Sequence, residues 1–420
     1  MLERCLWTET APVVSIPSAS LPASTDVAII GGGYTGLSAA RTLARRGADV
    51  TVLERHTTGW GASGRNGGFV LPGYKLEMEE LDRRLGSPRA AGMFRLSLEA
   101  IHMLQTIIAD EGIECDLVRC GAVTLAAKRA HLRGLEQSGR FLRERLGYQT
   151  ELLGPAEITR EIDSSRYHGA LVDPNGFALH PAKYVRGLGR SASRAGARLL
   201  EGCEVNGLRR IGSSFEITTR QGVVRAREVL AATNGYTPPA LSALRRRVIP
   251  IGSYQIATAP LPEGLARRLV PNGRVFSDTK HLLYYFRLSP DRRMVFGGRA
   301  SFTPTGIRRS AAILQVGMRD VFPGLADAKV EFAWSGKVAY PVDHLPHAGR
   351  MDGVHYAMGY CGHGVALATY LGHRMGEVIA GAGEIPHLGT ARFRAIPFYT
   401  GTPWFLPLVG GYYRLRDWIG

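Results

Sequence analysis

Apolar residues fall into distinct spacings along the chain. From Asp26 to Glu54 a short apolar run, VAII, leads into a glycine cluster, a helix-like stretch and a second apolar run, VTVL. That order predicts strand, turn, helix, strand: a βαβ unit. Residues 76–112 are predicted helical, with Met93, Leu96, Leu98, Ile101, Leu104, Ile107 and Ile108 on one broad face. A strand at 122–126 and a charged helix at 129–146 follow. Residues 181–200 read as a helix running into a strand at 204–209, and the alternation at 214–219 and 223–227 reads as a meander ending in an apolar strand at 228–232. Between 248 and 300 the runs VIPIGSYQIATA, LLYYFRL and RMVFGG predict a second sheet. Residues 1–25, rich in Pro, Ser and Ala, read as an extension on the surface.

Elements of dinucleotide-binding type thus recur at 26–70, 200–236 and 334–380, with mixed sheet and helix between them. Two interleaved domains fit 420 residues better than two successive ones.

Composition narrows the partners. The net charge of +16 raises nucleic acid or an anionic membrane, yet it comes from 46 scattered arginines and 6 lysines, and the longest basic run is Arg245–Arg247. No zinc spacing or interleaving of basic and aromatic residues accompanies it, so no nucleic-acid partner is expected. Five cysteines without a C-x-x-C pair read as reduced thiols. The first 25 residues carry early charges and no continuous apolar core, and no stretch approaches the roughly 18 apolar residues of a spanning helix. A cytoplasmic protein is expected, with its aromatic tail after residue 396 packed on its own body rather than on a membrane.

Gly31, Gly33 and Gly36 have the G-x-G-x-x-G spacing: a tight turn, close backbone approach to a pyrophosphate, and close packing of helix on sheet. Tyr34 and Thr35 begin a helix whose free N–H groups face the phosphates. Glu54 ends the second strand, where a carboxylate accepts hydrogen bonds from ribose hydroxyls, and Arg55 follows it. The segment GWGASGRNGG places Gly61, Ala62, Ser63, Arg65, Asn66, Gly67 and Gly68 just beyond, as backbone donors and a guanidinium for a pyrophosphate or a flavin edge. Two later segments read as further cofactor walls: Ala232, Thr233 and Asn234 at a strand end, and Gly362, His363, Gly364 and Val365 at a helix start.

These pieces, from residue 26 to 381, resemble the D-amino-acid oxidase-like superfamily of FAD-dependent oxidoreductases; GASGRNGG and GHGVALATYLG are most similar to its gamma-glutamylputrescine oxidase subgroup. The resemblance implies an α/β fold: a Rossmann-like FAD-binding domain (26–75, 165–235 and 334–385) interleaved with an α+β substrate domain on a mainly antiparallel sheet (76–164 and 236–333), flanked by the 1–25 extension and a 386–420 tail. It places Val205 on the adenine side and Gly336 near the flavin, and because WSGKVAYPVDHLPHAGR lacks cysteine, noncovalent FAD is expected, with Cys361 the one nearby thiol. The implied reaction oxidises a C–N bond of an amine or amino acid by hydride transfer to flavin, gives an imine and then a carbonyl, and returns electrons to oxygen, forming hydrogen peroxide, or to another acceptor.

In LLYYFRL, alternation puts Tyr285 and Arg287 on one face, as candidates to cover the amine and clamp a carboxylate; Arg299 is a second clamp. His363 reads as a helix cap or a base, and Lys337 as a cation for reacting oxygen or a solvated side chain. His344 and His347 lack a third ligand, so no metal is expected. Alternatives are a D-amino-acid, glycine or sarcosine type of oxidase or dehydrogenase, a non-oxidase flavin-binding subunit, and a nicotinamide-dependent dehydrogenase.

Overall fold

The computed structural model describes residues 1–12, 19–298, 306–386, 388 and 392–419, with side chains of the last helix described up to Tyr412. The expected βαβ unit forms as strand Ser24–Ile30, helix Tyr34–Arg45 and strand Val50–Leu53. The first strand lies between Val50–Leu53 and Gly222–Ala231 and is parallel to both. Its apolar run is buried on both faces, the environment that selects a continuous rather than alternating pattern. Parallel pairing extends to Arg198–Leu200 on one side and Val354–Met358 on the other. The meander Val205–Ile211 and Ser214–Thr219 is added antiparallel.

Helix Gly364–Ile379 lies along helix Tyr34–Arg45, and glycine sets their distance. A Cβ at Gly372 would stand 2.2 Å from the Thr35 carbonyl oxygen.

The second sheet runs in the order Val330–Tyr340, Ile249–Thr258, Met294–Gly298, Tyr284–Leu288, Val275–Asp278, Ala122–Leu125, Ala170–Asp173, Glu151–Leu153. All its pairs are antiparallel except Val275–Asp278 beside Ala122–Leu125. Phe276, Phe286 and Phe296 stack across three of its strands at 5.2 and 5.4 Å and face Leu314 and Met318 of helix Ile307–Val321. The chain thus has the expected α/β architecture of a Rossmann-like domain and a mainly antiparallel substrate domain. The boundaries expected at 165 and 334 both cut the second sheet, because Ala170–Asp173 and all of Val330–Tyr340 pair there.

Two expectations about elements change. The single helix over 76–112 is two, Met78–Leu85 and Ser87–Asp110, broken where Gly86 takes φ +83°. The first twelve residues are no surface extension. Helix Leu6–Thr10 sinks Trp7 to 1% exposure against His180 and Trp334, Leu2 bridges to Phe332, and Arg186 binds the Thr8, Ala11 and Pro12 carbonyls. Burial of one large aromatic ring outweighs the polar composition around it.

Candidate active site

A cavity of about 630 Å³ runs between the two sheets. One end is the glycine turn. Gly31, at φ +109°, has no room for a side chain, since a Cβ would lie 2.8 Å from the Ala232 oxygen. Gly36 lies behind the wall rather than on it: its Cβ would lie 2.0 Å from the Gly31 oxygen, so glycine here permits packing of helix on strand. Gly33 caps helix Tyr34–Arg45, which points its N-terminus into the cavity. The Glu54 carboxylate is fixed by backbone donors, Oε2 accepting from Gly32 N and Oε1 from His56 N, each at 2.8 Å. Glu54 and Arg55 both line the cavity.

The glycine-rich segment folds as a single turn, Ala62–Arg65. Ser63 Oγ accepts from Tyr34 N at 3.0 Å, which ties the turn to the start of helix Tyr34–Arg45. Arg65 donates to the Trp60 carbonyl and lies over the Trp60 ring, 4.5 Å from its centroid. Asn66 donates to the Ala62 and Ser63 carbonyls and accepts from Gly68 N. Gly61, Ala62, Ser63, Arg65, Asn66 and Gly67 line the cavity; Gly68, at φ +76°, lies behind it against the Leu179 oxygen.

Tyr34, Thr35, Val205, Ala232, Thr233, Asn234, Gly336, Gly362, Gly364 and Val365 complete the wall, drawn from positions up to 331 residues apart. Asn234, at φ +44°, accepts from Gly359 N and so joins two of these segments.

His363 stands at the N-cap of helix Gly364–Ile379 but makes no capping bond, and its Nδ1 is buried without a partner. Burial, then Lys75, push its pKa down to about 4, so the ring is neutral at pH 7. Lys337 lines the cavity; desolvation, then Arg55 and Arg245, hold it below the usual lysine range. Tyr285 reaches the cavity through its ring, its hydroxyl 2.9 Å from Ser253 Oγ.

Arg287 shares the face of Tyr285, as alternation requires, but does not line the cavity. Its guanidinium packs behind Gly68, over Trp7 at 4.9 Å, donates to the Leu179 carbonyl, and is 3% exposed. The guanidinium expected as a candidate clamp thus lies outside the cavity wall. Arg299 lies outside the described residues. Cys361, buried at φ +53°, lines the cavity with its thiol directed to the Gly359 carbonyl. Among the described residues no cluster of His, Cys, Asp and Glu could hold a metal.

Several lining residues escaped the sequence reading. Ile251, Ser253 and Gln255 alternate along Ile249–Thr258, so their common face was legible there. Gln255 donates to the Arg65 carbonyl and leaves a buried Oε1 without a partner. Tyr236 holds Lys337 N through its hydroxyl. Further in, Lys75, Glu77, Asp173 and Lys280 bring both signs of charge, and no local pattern announces them. Burial, then Glu79, raise the pKa of Glu77.

A carboxylate at one end, a glycine cradle that side chains would fill, and unpartnered polar atoms of Gln255 and His363 at the other make a donor and acceptor set that fits FAD.

Residues 26–378 match the FAD dependent oxidoreductase (DAO) family. The chain is 32% identical to gamma-glutamylputrescine oxidoreductase of Escherichia coli (strain K12) over 410 residues, 94% of this chain and 93% of that protein. It is 33% identical over 365 residues to the probable oxidoreductase OrdL of Haemophilus influenzae, 86% of this chain and 84% of that protein. The fold superposes on crystalline glycine oxidase from Geobacillus kaustophilus with a TM-score of 0.75 at 21% identity, covering 90% of this chain and 100% of that one.

Proposed function

Because the chain belongs to the FAD dependent oxidoreductase family, we propose that it oxidises the C–N bond of an amine carrying a distant carboxylate, of the gamma-glutamylputrescine kind, with oxygen as the final acceptor. Bound FAD would supply the oxidising equivalents as the acceptor of a hydride from the carbon beside the nitrogen, whose lone pair then forms the C=N bond; water hydrolyses the imine to a carbonyl and releases ammonia or a smaller amine. Gly31–Thr35, Glu54, Asn66 and the 232–234 and 362–365 segments hold it, without a covalent link.

One observation carries the substrate class: beyond the glycine loop, the cavity presents cations and carboxylates together. Oxidation needs a neutral amine nitrogen. Glu77, with its raised pKa, is suited to take the proton of an ammonium group at its carboxylate, and neutral His363 offers a ring nitrogen without repelling the amine. Lys280, 3.1 Å from Asp278 Oδ2 and over the Tyr284 ring, gives a substrate carboxylate a charge partner at the substrate-domain side.

A peroxide-coupled assay across gamma-glutamylputrescine, putrescine, glycine, sarcosine and D-alanine tests the proposal. The gamma-glutamylated amine should give the highest kcat/KM. Preference for glycine or D-alanine, or flavin reduction without peroxide, would overturn the substrate or the acceptor respectively.

A further inference from the structure

The tail after residue 392 does two things at once. Its inner side belongs to the protein: Phe393, Tyr399 and Leu406 are buried, and Leu406 packs with Ile251, Tyr340 and Cys361, all on the cavity wall. Among the described residues its outer side is apolar and exposed. Phe398 is 98% exposed, Trp404 69%, Leu408 75% and Tyr412 55%. Leu408 and Tyr412 are four apart in helix Leu406–Ile419, so they share one outward face, and Trp404 precedes them by the same interval. Four large apolar side chains turned outward within fifteen residues are more than the scattered exposure of an ordinary surface.

The charges carried by this segment and by the 229–262 stretch it binds have one sign. The tail is laced to the Arg245–Arg247 run: Ile396 N donates to the Arg246 carbonyl, and Arg247 Nε to the Phe393 carbonyl at 2.8 Å. Arg246, Arg392 and Arg394 are exposed. No acidic residue occurs between Arg392 and Tyr412, nor between Val229 and Pro262. Elsewhere arginines alternate with acids and form ion pairs across the surface. Exposed aromatic residues with exposed arginines beside them match the boundary between lipid acyl chains and anionic headgroups. No described helix is long and apolar enough to cross a membrane, so contact would be peripheral.

We propose that the segment 392–412, with Arg246, docks this protein on an anionic lipid surface. The same segment forms the outer cover of the cavity wall, so docking presents that side of the active site to the membrane.

The test is co-sedimentation of the FAD-loaded protein with vesicles of phosphatidylcholine alone and of an equimolar mixture with phosphatidylglycerol. Binding is expected to the anionic vesicles only and to fall with salt. Phe398→Ser with Trp404→Ser should abolish it while the visible flavin spectrum stays unchanged. Should that variant misfold, Arg392→Gln and Arg394→Gln serve instead, each weakening partition about fivefold. Failure of the wild type to bind, equal binding to neutral vesicles, or variants that bind like wild type would overturn the proposal. So would a soluble dimer that Trp404→Ser dissociates, since the face would then belong to a second copy of the chain.

Discussion

Glu54→Gln is the sharpest perturbation of the cofactor end. The carboxylate accepts from two backbone donors, Gly32 N and His56 N, each at 2.8 Å. Glutamine offers one acceptor and one NH₂, so whichever way the amide turns, one backbone N–H faces another donor. The substitution also removes the charge that strengthens hydrogen bonds from a ribose. A hydrogen bond to a charged group contributes about 1.5–3 kcal/mol. Losing one such bond to the loop lowers the order of the glycine turn, and losing one to ribose weakens FAD by about 10- to 150-fold. The assay is fluorescence titration of apoprotein with FAD, the protein signal being followed separately by circular dichroism. An unchanged dissociation constant would refute the role of Glu54, whereas weaker FAD with an intact fold would support it.

Three further outcomes follow from the packing behind the glycine loop. Trp7→Ala should cost about 3–5 kcal/mol for the cavity it leaves, plus about 2 kcal/mol for the Arg287 stacking lost, read as a lower urea midpoint; a wild-type midpoint would return residues 1–12 to the surface. Arg287→Met should lower stability and change KM for carboxylated and simple amines alike; a selective rise for carboxylated amines would restore it as a clamp. His180 accepts from Lys183 N through Nδ1 and sits beside Lys183 and Arg287, and burial, then Lys183, push its pKa down to about 4. Because the folded pKa lies below the ordinary 6.5, its share of stability is complete above pH 6.5 and is lost as pH falls toward 4, on the order of 3 kcal/mol by urea melts at stepped pH. His180→Gln should flatten that slope, and an unchanged slope would assign the acid sensitivity elsewhere.

The cofactor half was legible because its signals are local. Four consecutive apolar residues and a glycine turn specify a buried parallel strand and the helix start after it without reference to distant sequence. The second sheet was legible in its 248–300 strands but not in its full extent: Ala170–Asp173 joins it by pairing with Ala122–Leu125, a choice of partner no local pattern carries. Alternation put Tyr285 and Arg287 on the correct face, yet depth depends on what covers it, and Gly68 with Trp7 covers Arg287 alone. Trp7 itself gave little signal, since its pocket is assembled from His180, Arg287 and Trp334. Lys75 and Glu77 lie on a loop whose course around the cavity is set by the helices after it.

Anaerobic mixing of the FAD-loaded protein with gamma-glutamylputrescine, followed at the flavin absorbance and then after admission of oxygen, bears most directly on the central claim. Rapid bleaching by this amine, much slower bleaching by putrescine or glycine, and recovery of colour with one peroxide formed per flavin is the expected result. A flavin that stays oxidised with every carboxylated amine would contradict the account, whatever the fold and the cofactor.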